Sequence, residues 1–129
     1  MPGFEEERVC RAPAEEVWKL LYDPARFADW WDGMARVEQG ADGSVNRYMA
    51  AWPDFAYPTN ISTAKAGLRI VISCQLSDIE HEWSLAPHAE GCLVRARIEI
   101  PEAEAARLPQ VHGETSRSID KLVACAERG

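Results

Sequence analysis

The sequence RVCRAPAEEVWKLLYDPARFADWW, residues Arg8 to Trp31, decides the fold. It predicts a short strand and then a helix whose first residue is Pro13, where the missing N–H of proline costs no hydrogen bond. The apolar residues of this helix recur at the spacing of one buried face, and they are Val17, Leu20 and Leu21. Asp23 and Pro24 repeat the start signal, so a second short helix follows at once.

After Trp31 the apolar residues recur with the period of β-strands. We expect strands over 34–38, 44–52, 57–65, 68–76, 79–85 and 92–100. Turns are expected at Ala66-Gly67, and a longer hairpin loop over 87–91. From about Glu102 the spacing predicts a helix, which Pro109 kinks or restarts because it cannot donate to the preceding turn. The predicted order is βααββββββα.

This order implies how the hydrophobic core is covered. Seven antiparallel strands with one apolar face must bury that face, and the only long element left to do so is the C-terminal helix. A curved sheet around one helix encloses a space, and concave, mostly apolar interiors are where small molecules bind. We therefore expect an internal cavity between the sheet and the last helix.

Length and composition limit the possible classes of protein. The 129 residues are expected to form one domain, 1–129, with 47% hydrophobic and 27% charged residues, as in ordinary globular proteins. The net charge of −7 opposes nucleic acid as a partner, and no apolar run is long enough for membrane insertion. The acidic N-terminus, MPGFEEER, does not resemble a signal peptide, so a cytoplasmic location is expected.

The element order and several motifs resemble the START-like, or SRPBCC, superfamily, which has the birch-pollen-allergen helix-grip fold. Within it, the chain is similar to the polyketide cyclase/dehydrase and lipid-transport group. The residues that carry the resemblance are Ala12-Pro13, Val17-Trp18, Asp23, Phe27, Trp30-Trp31 and the hairpin over 81–94. The resemblance implies an α+β helix-grip fold, with a seven-stranded curved antiparallel sheet around a long C-terminal helix and two short helices after the first strand.

The resemblance also implies an expectation about the cavity wall. Aromatase/cyclase members of the family are expected to line the cavity with an arginine and tyrosines. The hairpin around Phe55-Ala56-Tyr57 supplies Tyr57 but no arginine that the sequence places there. This departure argues against ring-forming chemistry.

His81 is the candidate catalytic residue. It shares a strand face with Ile79, Trp83 and Leu85, so its imidazole is expected to point into the cavity. With an ordinary pKa near 6.5, such a ring can exchange a proton with a ligand. The alternative is a histidine whose hydrogen bonds are satisfied by a neighbouring serine, tyrosine or carbonyl.

The other candidates are polar groups near the same interior. His112 is expected either on the inner face of the last helix or in solvent near Pro109. Strand alternation leaves open whether Tyr57 or Asn60 faces the cavity. The complete set of expected ligand-binding residues is His81, Trp83, Tyr57, Tyr48, Trp30, Ile98, His112, Thr115 and Ile119.

These observations predict a protein that binds a small hydrophobic or aromatic ligand, lipid- or polyketide-like, with no cofactor and no metal. The alternative is a cyclase, dehydratase or aromatase in which His81 is the acid/base and a tyrosine relays the proton. A third possibility is a protein-interaction partner with only a residual cavity. The chain is expected to be a monomer or homodimer, and the entrance lies either beside the Trp52–Tyr57 hairpin or at the last helix.

Overall fold

A computed structural model describes residues 2–64 and 68–129 and contains one antiparallel seven-stranded sheet. The strands are β1 (Gly3–Cys10), β2 (Met34–Gln39), β3 (Val45–Met49), β4 (Trp52–Ala64), β5 (Arg69–Cys74), β6 (Glu80–His88) and β7 (Gly91–Glu99). Their order across the sheet is β1-β7-β6-β5-β4-β3-β2. The predicted helix-grip α+β fold is confirmed. The predicted turn at Ala66-Gly67, with Lys65 before it, lies outside the described residues.

The helices also follow the predicted order, and they are α1 (Ala14–Tyr22), α2 (Phe27–Trp30) and α3 (Leu108–Arg128). α1 begins one residue later than predicted, with Pro13 extended just before it. The Asp23 carboxylate accepts a hydrogen bond from the Ala25 N–H at 3.0 Å, which starts a short 3₁₀ turn leading into α2. The sequence therefore identified the capping residue correctly.

Pro109 restarts the C-terminal helix. A 3₁₀ segment over Glu102–Arg107 precedes α3, and Pro109 occupies the first turn of α3, where its missing N–H breaks no hydrogen bond. The buried face of α3 carries Val111, Thr115, Ser118, Ile119, Leu122 and Ala126. This face packs on the sheet and closes the interior, as the periodicity predicted.

The largest differences between the observed and the predicted strand boundaries lie at two turns. Trp52 begins β4 instead of ending β3, because the chain turns at Ala50 and Ala51. The expected loop over 87–91 is a two-residue turn, since His88 pairs with Gly91 across the hairpin. Gly91 makes this tight turn possible: its φ of 149° is disfavoured for other residues, and the backbone of Cys10 and Ala12 lies where a side chain would be.

The segment after α2 is fastened to α3 through Asp32. The Asp32 N–H donates to the Ser118 hydroxyl at 2.9 Å, and its carboxylate accepts from Arg117 at 2.7 Å and Lys121 at 2.9 Å. Hydrogen bonds from these two cations hold the pKa of the Asp32 carboxyl below its ordinary value. The neighbouring Trp31 is thereby fixed in position between helix and sheet.

The Gly91 turn gives a prediction about stability. In Gly91→Ala the new Cβ would overlap the carbonyl oxygens of Cys10 and Ala12, so we expect a loss of about 3 kcal/mol in the free energy of unfolding. Gly43→Ala is the matched control, because Gly43 also has positive φ (86°) but open space around it, and we expect a loss of about 1 kcal/mol. Urea unfolding followed by circular dichroism measures both. Equal losses would contradict the steric argument.

Candidate ligand-binding site

A cavity of about 550 Å³ lies at the end of the sheet where α3 begins. Its walls come from strands β3 to β6, the segment after α2 and the first two turns of α3. The lining residues are Trp31, Gly33, Arg47, Met49, Ala50, Ala51, Trp52, Tyr57, Cys74, Ser77, Ile79, His81, Arg107, Gln110, Val111 and Glu114. Trp31 belongs to the larger of two hydrophobic clusters, and Ile79 and Val111 to the smaller. The cavity therefore lies between two packed regions.

The entrance is identified by those lining residues that are also exposed. Ala50 and Ala51 in the β3–β4 turn, with Trp52 at the start of β4, are exposed on one side, and Gln110 of α3 is exposed on the other. Trp52 is 65% exposed, an unusual value for a tryptophan. The sequence left two alternatives for the entrance, the Trp52–Tyr57 hairpin and the last helix. In the structure these two elements form opposite sides of one opening.

Arg47 lies at the inner wall and is only 6% exposed. Its Nε donates to the Thr59 hydroxyl at 2.8 Å, and its guanidinium carbon lies 4.7 Å from the centroid of the Trp31 ring. Burial lowers the pKa of this guanidinium, but arginine remains a cation throughout the physiological range. An arginine therefore lines the cavity from β3, a position that the sequence analysis did not identify.

His81 also lines the cavity, as its strand phase predicted. It is 8% exposed, and its ring meets Trp31 edge-on at 4.9 Å between centroids. Its ring nitrogens have no hydrogen-bond partner among the described residues. Burial, assisted by the charge of Arg47, lowers the pKa of His81 to about 3, so the ring is neutral at physiological pH.

Tyr57 faces the cavity, which resolves the strand phase that the sequence left open. It lies directly opposite Arg47 in the β3–β4 ladder, and its ring contacts Phe55 edge-on. Thr59 is buried on the same face, whereas Asn60 is exposed and accepts a hydrogen bond from Gln75. Arg47 and Tyr57 are thus paired on β3 and β4, and His81 on β6 lines the same cavity.

Cys74 adds a thiol to this wall. It pairs with Thr59 in the β4–β5 ladder and is buried. Burial alone would raise the pKa of the Cys74 thiol, but hydrogen bonds from Ser77 and the nearby Leu76 backbone, together with the charge of Arg47, lower it overall. Its position makes it part of the polar end of the cavity.

Two polar candidates lie on outer surfaces. Tyr48 is next to Arg47 in β3, so it points to the opposite face, where its hydroxyl donates to Glu38 at 3.4 Å and its ring is covered by Arg36. His112 does not occupy the inner face of α3. Its Nε2 lies 2.8 Å from Glu6 on β1, and its ring packs against Phe4.

Five apolar or small candidates lie in the packed interior and not on the cavity wall: Trp30, Trp83, Ile98, Thr115 and Ile119. The Trp30 indole donates to the Leu20 carbonyl at 2.8 Å and meets the Trp83 ring edge-on. Here α1, α2 and the middle of α3 already cover the sheet. The cavity therefore begins on the side of Trp31 that faces away from Trp30.

Residues 2–64 and 68–129 contain neither a metal-binding cluster nor a membrane-spanning helix. No group of three or more histidine, cysteine, aspartate or glutamate side chains is arranged to hold a metal ion there. Within the same residues, no helix has the length and apolar character required to span a bilayer.

Comparison with known proteins supports the resemblance drawn from the sequence. The family model described as "Polyketide cyclase / dehydrase and lipid transport" matches residues 1–127. No curated protein sequence is significantly similar to the chain.

Solved structures with the same fold extend this result. Protein CV1439 from Chromobacterium violaceum is 22% identical, with a TM-score of 0.78 and coverage of 98% of this chain and 99% of that one. The di-domain ARO/CYC StfQ of the steffimycin biosynthetic pathway is 13% identical, with a TM-score of 0.74 and coverage of 98% and 50%. DynU16, from the dynemicin biosynthetic locus, is 19% identical, with a TM-score of 0.67 and coverage of 95% and 46%. At these identities the likeness shows the fold alone.

The buried position of His81 predicts its titration. The unfolded chain protonates this ring near pH 6.5 and the folded protein only near pH 3, so His81 destabilises the fold progressively as pH falls through that window. We expect the His81 ring resonances in ¹H–¹⁵N NMR to stay unchanged between pH 8 and 5. A His81→Gln variant assigns them. Titration of His81 near pH 6.5 would contradict its burial beside Arg47.

Proposed function

The chain belongs to the polyketide cyclase/dehydrase and lipid-transport family, and we propose that it binds a small hydrophobic or aromatic ligand of lipid or polyketide type. The observation that carries the proposal is the open volume of about 550 Å³ between the sheet and α3. Cavities of roughly 300–1,000 Å³ are typical of small-molecule sites. An interior of this size also favours ligand binding over a protein-interaction role with only a residual cavity.

The wall suits a flat or elongated apolar molecule with a polar end. Trp31, Met49 and Ile79 supply apolar surface, and Arg47, Tyr57 and His81 supply polar groups at one side. A ligand that buries as much surface as a large aromatic side chain, about 250 Å², gains about 6 kcal/mol at 25 cal/mol per Å² before ordering costs. Apolar burial supplies the affinity, and the polar groups fix the orientation.

A neutral fluorescent probe tests whether the cavity is accessible. We expect N-phenyl-1-naphthylamine to bind, with enhanced and blue-shifted emission, and to be displaced by ligands extracted from cells and identified by native mass spectrometry. Met49→Trp places an indole in the cavity and should weaken probe binding at least tenfold. Tyr48→Trp, one residue away on the outer face, is the matched control and should leave binding unchanged. Equal binding by both variants would place the probe elsewhere.

A second candidate function, ring closure or dehydration of a poly-β-ketone, is favoured by the pairing of Arg47 with Tyr57. Such reactions develop negative charge on a carbonyl oxygen, which a buried guanidinium and a phenol stabilise. StfQ, which shares the fold, is described as an ARO/CYC protein. In this candidate the cavity restricts how the substrate folds and Tyr57 relays the proton, while the low pKa of His81 makes it a weak base that orients the substrate by hydrogen bonding.

The two functions differ in what His81→Ala changes. For an enzyme, adding the protein to a minimal polyketide synthase should alter the distribution of cyclised products. His81→Ala should reduce that effect about 10²-fold, because the substrate loses the hydrogen bond that orients it for reaction. For a binder, the products stay the same and His81→Ala lowers probe affinity only modestly. An unaltered product distribution with the unmodified protein would exclude the cyclase candidate for that substrate.

A further inference from the structure

We propose that the ligand of this cavity is an organic anion: an amphiphile whose acidic group pairs with Arg47 while its apolar body lies against Trp31 and the adjoining wall. The inference rests on the proposed function, since it names the chemical class that the same cavity holds. It depends on the charge, burial and unused hydrogen-bond donors of one side chain.

Arg47 is a buried cation without a counter-ion. Among the described residues it is the one side chain of permanent charge that is buried, and it forms no ion pair there. A charge removed from water is strongly unfavourable unless a partner of opposite sign compensates for it. Such a residue is expected where a ligand supplies the missing charge.

The two terminal nitrogens of the Arg47 guanidinium are free to bind a ligand. Nε is occupied by Thr59, whose own hydroxyl donates to the Tyr57 carbonyl, and one face of the group lies on Trp31. The terminal nitrogens have no oxygen or nitrogen acceptor among the described residues, and the Cys74 thiol is the neighbouring side chain that interacts with the guanidinium. Their paired N–H groups match the two oxygens of a carboxylate, a geometry that gives short, charge-assisted hydrogen bonds.

The neighbouring groups do not neutralise this charge. His81 and Tyr57 lie beside it and offer hydrogen-bonding groups, and neither is a carboxylate. Glu114 lines the cavity but accepts a hydrogen bond from Gln110 at 3.1 Å and forms no ion pair with Arg47. Arg47 is therefore the buried cation of the wall and no carboxylate among the described residues is paired with it, which suits a monoanion.

The position of the charge defines the orientation of the ligand. Arg47 is at the buried end and Trp52 at the exposed mouth, so the acidic group enters first and the apolar body fills the space behind it. The remainder of the protein is acidic, with a net charge of −7, so attraction of an anion depends on this local site. An aromatic or fatty acid fits this description.

Two matched probes test the inference. 1-Anilinonaphthalene-8-sulfonate and N-phenyl-1-naphthylamine share one ring system and differ by a sulfonate. In Arg47→Met we expect the affinity for the sulfonate to fall tenfold or more, while affinity for the neutral probe stays within threefold. Arg36→Met, an arginine on the outer face of the sheet, is the matched control and should change neither. Circular dichroism confirms that each variant is folded.

The outcomes separate the inference from the proposed function. If neither probe binds the unmodified protein, the proposed function and the inference both fail. If both bind and Arg47→Met weakens them equally or not at all, the anion inference alone is overturned.

A second test uses only the unmodified protein, so its result does not depend on whether the Arg47→Met variant folds. Decanoate, ionised at pH 7, should displace N-phenyl-1-naphthylamine at a concentration at least tenfold lower than decanol does. Equal displacement by the alcohol would overturn the inference, because both molecules have ten carbons in an unbranched chain and differ mainly in the charge of the polar group.

Discussion

The stacking of Trp31 marks where the packed core ends and the cavity begins. One face of its ring lies on the fully buried Trp30, with centroids 5.4 Å apart and planes inclined by 18°. Arg47 and His81 contact the same ring from the cavity side. Asp32, the next residue, is bonded to three residues of α3 and holds this arrangement in place. Without Trp31, the polar end of the cavity would lose the surface that supports it.

The chemistry of this cavity comes from two buried polar side chains that the protein leaves largely without hydrogen-bond partners. Arg47 and His81 are both more than nine-tenths buried, yet the guanidinium has one hydrogen bond and the imidazole none among the described residues. A protein interior normally satisfies such groups. Here the donors face open volume, so the ligand completes a hydrogen-bonding arrangement that the fold leaves unfinished. Burial, together with the charge on Arg47, lowers the pKa of His81 and keeps it neutral, which makes it a hydrogen-bonding group and not a second cation.

The sequence predicted the elements well and the cavity wall incompletely, for physical reasons. Periodicity identifies which face of a strand is buried, and it placed Tyr57 in phase with the buried Thr59. It does not tell how far along the sheet the helices extend, so Trp30 was expected at the wall although α1 and α2 enclose it. Arg47 was missed because a charged residue in a strand is usually solvated. The sequence signal for Arg47 was the alternation of β3, which places Arg47 on the same face as Val45 and Met49. The same alternation places Tyr48 on the opposite face, away from the cavity.

The most direct measurement is a crystal structure of the protein with bound decanoate. We expect the carboxylate about 3 Å from the terminal nitrogens of Arg47, with the alkyl chain running past Trp31 toward Trp52. Electron density for the acid on an outer surface, with the interior closed by the protein's own side chains, would contradict this expectation.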